Sequence, residues 1–197
     1  MKTPSFPSVA LASLCLALFA GCTGLPEGLE PVRGFDPDRY LGIWYEIARL
    51  DHPFERGLED VSATYGRRED GGLSVRNRGW DPEEGEWREV VGRAYPLGDA
   101  DVGSLRVSFF GPFYGGYHVL ALDTETYEDA VVVGPSRDYL WILSRSRRLT
   151  EERRRELVEV ARAAGFDTDA LIWVSQERPD PALRDQSGGN SSSSRAR

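Results

Sequence analysis

With 197 residues, 40% hydrophobic side chains and five Trp, eight Tyr and eight Phe, the chain holds one domain with a real core and some length to spare at each end. Its formal net charge of −8 repels phosphate, which excludes nucleic acid as a partner. The first predicted element is an export signal: Lys2 precedes an apolar run over residues 9–20. That run falls short of the roughly 20 residues a bilayer-spanning helix needs, so it reads as a cleaved signal peptide.

The run ends in Leu18-Phe19-Ala20-Gly21-Cys22, which resembles the bacterial lipobox, although Phe19 stands where that motif usually has Leu. The resemblance implies a signal peptide over residues 1–21, a lipid on Cys22, and a membrane partner reached through that lipid. Thr23 follows where an Asp would imply retention in the inner membrane, so the protein is expected on the periplasmic side of the outer membrane. Cys15 is lost with the signal and Cys22 carries lipid, so no disulfide is expected. Residues 22–34, rich in Pro, Gly and Glu, read as a tether. The folded domain then occupies residues 35–178, and the Ser-rich stretch 179–197 reads as a disordered tail.

Inside the domain the dominant period is two. Residues 43–50, 61–65, 73–77, 87–91, 105–109, 117–122, 130–133 and 139–143 read as short strands. Turn residues at 70–72, 81–85, 98–99, 115–116 and 134–135 separate them. Eight strands at regular spacing predict an all-β fold, an up-and-down antiparallel barrel with room for one small ligand. One α-helix follows, with Thr150 as N-cap, Glu151 and Glu152 in the first turn and Gly165 at its C-terminal end. Its narrow stripe of Leu157, Val158, Ala161 and Ala164 predicts packing outside the barrel, and residues 171–174 predict a last strand beside the first.

Three motifs then appear in order. Gly42-Ile43-Trp44 opens the first strand, Asp123 and Tyr127 fall between the sixth and seventh, and Arg145 ends the eighth. Together they resemble the lipocalins, and residues 107–114 and 165–167 are similar to the bacterial outer-membrane lipocalins and their relative apolipoprotein D. The resemblance covers residues 35–176. It implies a closed barrel end built from Gly42, Trp44 and Arg145, with the guanidinium stacked on the indole. It also implies a cavity lined by Trp141 and Tyr114, joined by Phe109, Val119 and Tyr65, that takes a fatty acid or lysophospholipid.

His52 to Arg56 is expected to fold over the barrel opening as a polar loop, and His118 to stand in the wall. Two histidines without a cysteine partner are not a zinc set, so no metal and no cofactor are expected. No catalytic residue is assigned. A lipocalin-fold enzyme acting on a lipid and a structural envelope lipoprotein stay open as alternatives, and a homodimer is compatible with either.

Overall fold

Side chains that alternate along each segment build one antiparallel sheet that closes on itself in the computed structural model, which describes residues 23–183. The expected signal peptide, Cys22 and most of the expected tail lie outside the described residues. The strands are β1 (Gly42–Arg49), β2 (Glu59–Arg67), β3 (Leu73–Asp81), β4 (Glu86–Pro96), β5 (Ser104–Ser108), β6 (Gly115–Leu122), β7 (Asp129–Val133) and β8 (Leu140–Ser144). β1 pairs with β2, Gly42 opposite Tyr65, and with β8, Tyr45 opposite Ser144. That double pairing closes an eight-stranded barrel and removes the free edges of the sheet. Where β2 leaves β1, a short β9 (Ile172–Trp173) takes its place, Trp173 opposite Ala48.

Neighbouring residues of a strand face opposite ways, so the wall carries two apolar clusters. The inner one holds Trp44, Tyr65, Val75, Leu105, Val119, Val132 and Leu143. The outer one joins Ile47, Val131, Val133, Leu140 and Ile142 to Leu157 and Ala161 of a helix, α2 (Glu151–Ala163). Thr150 caps α2 by accepting from Arg153 N, as expected. Ala164 is the C-cap, and Gly165 turns the chain one residue later at φ +82°. A second, short helix, α1 (Pro37–Tyr40), was not anticipated; the Asp36 side chain accepts from Asp38 N, and Pro37 stands in the first turn.

Residues 23–34 are no loose tether. Leu25 and Leu29 pack on the outer cluster, which gives them apolar surface to cover. Val32 N donates to Val119 O and Gly103 N to Val32 O, both at 2.9 Å, so the segment lies as a strap across β6. Farther up, Gly24 O accepts from His118 Nε2 at 3.2 Å, and His118 Nδ1 lies 2.9 Å from Ser104 Oγ. His118 therefore stands on the outer side of the wall, buried by the strap. The tail also starts later than expected: Asp180 is buried against Arg78 Nε at 2.6 Å, and Leu183 is buried.

The strand directions give the barrel two unlike ends. Gly42, α1, the 123–128 turn and Arg145 gather at one. The loops 50–58, 82–85, 109–114 and 134–139 gather at the other.

Candidate functional site

The first end is sealed. Trp44 is fully buried and donates from Nε1 to Tyr40 O at 2.9 Å, with Tyr40 stacked on it at 4.6 Å between ring centres. The Arg145 guanidinium lies 3.9 Å over the indole. It is fixed there by three carbonyls, Ile43 O at 2.8 Å, Arg39 O at 2.9 Å and Tyr127 O at 3.3 Å. Gly42 takes φ +92°, and a Cβ there would come 3.4 Å from Arg145 Nη1, so its bare backbone suits both the turn and the stack. Tyr127, from the second motif, accepts from Asp36 N at 2.8 Å and ties α1 across the end.

Above this seal three tyrosines meet. Tyr65 Oη donates to Tyr117 Oη at 2.8 Å, which is 2.7 Å from Tyr40 Oη. Burial raises all three phenols above their ordinary range, so they stay neutral and serve as hydrogen-bonding groups.

Four of the five expected lining residues come together on the inner face. Tyr65 and Val119 are buried in the inner cluster, and Phe109 and Trp141 pack against it half-buried. Tyr114 does not join them. It follows the turn after Phe109, where strand parity no longer sets its direction, and it stands against Arg93, Arg106 and Tyr95. Arg93 and Arg106 are exposed neighbours of the inward Ala94 and Leu105, so Tyr114 lies outside the wall.

The opening holds a group of charged side chains that the sequence did not single out as a unit. Glu46 follows Trp44 by two residues and so faces inward, where it is 3% exposed. Arg49 Nη1 donates to Glu46 Oε1 at 2.6 Å, and its Nη2 donates to Glu55 O and Leu58 O of the covering loop. Glu55 reaches back from that loop to accept from Trp141 Nε1 at 3.0 Å. His52 is buried with Nε2 3.2 Å from Glu55 Oε2, out of alignment for a hydrogen bond, and both its ring nitrogens lack partners. Arg56 turns away to pair with Asp51 in solvent.

Burial pushes Glu46 well above the ordinary carboxylate range, and the charge on Glu55 adds to this against the opposing pull of Arg49. Burial also raises Glu55, but contacts from His52, Trp141 and Glu46 outweigh it and hold that carboxyl below its ordinary range. A protonated Glu46 near an ionised Glu55 fits both directions. The expected loop over the opening is thus a latched cover, with Leu58 seated 3.0 Å from where a Cβ on Gly79 would stand. Two clefts of about 290 and 470 Å3 lie on the outer surface, one around Asp129 and Arg153 and one around Trp173 and Gln176.

Comparison with known proteins adds four findings. The lipocalin-like domain family matches residues 35–176. Outer membrane lipoprotein Blc of Escherichia coli K12 is 52% identical over 171 residues, covering 86% of this chain and 96% of that protein. Apolipoprotein D of Macaca fascicularis is 32% identical over 180 residues, covering 83% and 94%. Among solved structures, insecticyanin from the tobacco hornworm Manduca sexta superposes with a TM-score of 0.63 at 22% identity, over 82% of this chain and 89% of that one. At that identity the likeness concerns the fold alone.

Proposed function

The chain belongs to the lipocalin family, and we propose that its barrel binds one single-chain lipid, a fatty acid or lysophospholipid. The role is storage, transport or membrane maintenance at the periplasmic side of the outer membrane, with a lipid on Cys22 as the anchor. The relatives named outer membrane lipoprotein support that location, as does the Gly21-Cys22 ending of the signal.

The observation that carries the proposal is the inner face itself. Trp141, Phe109, Val119 and Tyr65 line it, the Trp44–Arg145 stack seals one end, and a loop held by a few polar contacts covers the other. Burying about ten methylenes at roughly 0.8 kcal/mol each gives about 8 kcal/mol, which sets a micromolar ceiling before ordering costs. A lipid enters by displacing Glu55 and the loop from Trp141. We assign no catalytic role. No cofactor takes part.

Titration with saturated fatty acids of increasing length tests this. Trp141 fluorescence changes as Glu55 leaves its indole, and each methylene removed weakens binding by up to about four-fold. Trp141→Ala loses affinity while the barrel stays folded, with a midpoint lowered by the lost bond to Glu55. Affinity indifferent to chain length, or unaffected by Trp141→Ala, contradicts binding in the lumen.

A further inference from the structure

Among the described residues, the most exposed large apolar side chains stand at the open end. Phe54 on the 50–58 loop is 71% exposed, and Phe110 and Phe113 on the 109–114 loop are 70% and 71% exposed. These two loops face each other across the opening, because β1–β2 and β5–β6 lie on opposite sides of an eight-stranded barrel. Phe113 N donates to Phe110 O at 3.2 Å, a tight turn that presents both rings together.

Behind that pair stands Tyr114, the residue that is missing from the lumen. Arg93 Nε donates to its hydroxyl at 3.1 Å, and the Arg106 guanidinium lies 5.0 Å from its ring centre. An apolar tip backed by a tyrosine and two exposed arginines follows the order of a lipid interface: acyl chains first, then headgroups and phosphates.

The strap says which way this end faces. It runs up β6 and brings Thr23 against Gly116, where a Cβ would meet the Thr23 carbonyl at 3.1 Å. Gly116 lies two residues past the 109–114 loop, so Thr23, the first described residue, stands at the open end of the barrel. A lipid on Cys22 would leave almost no tether and would hold the open end at the membrane.

We propose that the barrel docks mouth-down on a bilayer, with Phe110, Phe113 and Phe54 inserted into the lipid interface and Tyr114, Arg93 and Arg106 at headgroup level. Ligand then passes between membrane and lumen without crossing water. The purpose rests on the lipid-binding proposal above, but the docking surface does not.

The test uses the Cys22→Ser chain without its signal peptide, so that insertion is measured apart from the anchor, on phosphatidylcholine vesicles by co-sedimentation. The wild-type surface binds, and Phe110→Ser with Phe113→Ser lowers the partition coefficient by about ten-fold or more. Phe54→Ser lowers it further, and Tyr114→Ala lowers it less. Laurate titration and the thermal midpoint of each variant stay at the wild-type value, which separates failed docking from a failed pocket or a failed fold. Absence of vesicle binding by the wild-type surface overturns the proposal. So does equal binding by the serine variants, or a concentration-dependent dimer that the same substitutions abolish.

Discussion

At the scale of single residues, Trp44 and Arg145 belong to the fold and Glu46 to the opening. Trp44→Ala removes a fully buried indole and is expected to cost about 3–5 kcal/mol. Arg145→Ala loses a stack worth about 0.5–2 kcal/mol and the clamp on three carbonyls. Urea unfolding measures both; a variant with wild-type stability and lost lipid affinity would move these residues from the seal to the pocket. Glu46 gives a pH prediction. Its raised pKa means that the folded protein binds a proton the unfolded chain gives up, so stability is fully present below the ordinary carboxylate value of about 4.3 and falls as pH rises through the raised value. Glu55 has the opposite sign: its contribution is present above its ordinary value and fades as pH falls through the lowered one. Arg49, His52 and Trp141 surround the pair without replacing that proton. In Glu46→Gln the amide still accepts from Arg49 but cannot ionise, and the decline toward alkaline pH disappears from the thermal midpoints. A wild-type midpoint flat across that range contradicts a protonated Glu46. Glu46 was legible in principle, two residues from Trp44 on an inward face, but a lone Glu in a strand reads as solvated until its partners are placed.

At the scale of elements, the strands and α2 were legible because their periods are plain: alternation for the wall, and Leu157, Ala161 and Ala164 at helical spacing for the outer face. The strap was not. Leu25, Pro26, Leu29 and Val32 carry no period, and Gly and Glu between them read as linker, although β6 supplies the backbone partners that order them. Nor was the side taken by Tyr114, since alternation stops at the turn after Phe109. The covering loop makes its own prediction. Glu55 holds it to Trp141 with a charge-assisted bond, and such bonds contribute about 1.5–3 kcal/mol. Glu55→Ala therefore raises hydrogen exchange of the 52–58 amides and speeds lipid association by about ten-fold, with β6 and β7 amides unchanged. Unaltered exchange in the loop means that the latch lies elsewhere.

At the scale of the whole molecule, one end of the barrel is sealed by side chains and the other is covered by the 50–58 loop, which makes the covered end the proposed door. The strap brings Thr23 to that end of the barrel. Cys22→Ser is expected to shift the protein from outer-membrane to soluble periplasmic fractions, and full retention in the membrane pellet contradicts lipid anchoring. The central claim, that the lumen carries a single-chain lipid, has a more direct test. The wild-type protein and Trp141→Ala are purified from native membranes, washed free of bulk lipid, and extracted for lipid mass spectrometry normalised to protein. About one fatty acid or lysophospholipid per wild-type barrel, with strong depletion in Trp141→Ala, is the predicted result. Extracts without a single-chain lipid in stoichiometric amount, or with the same amount in both proteins, would contradict it.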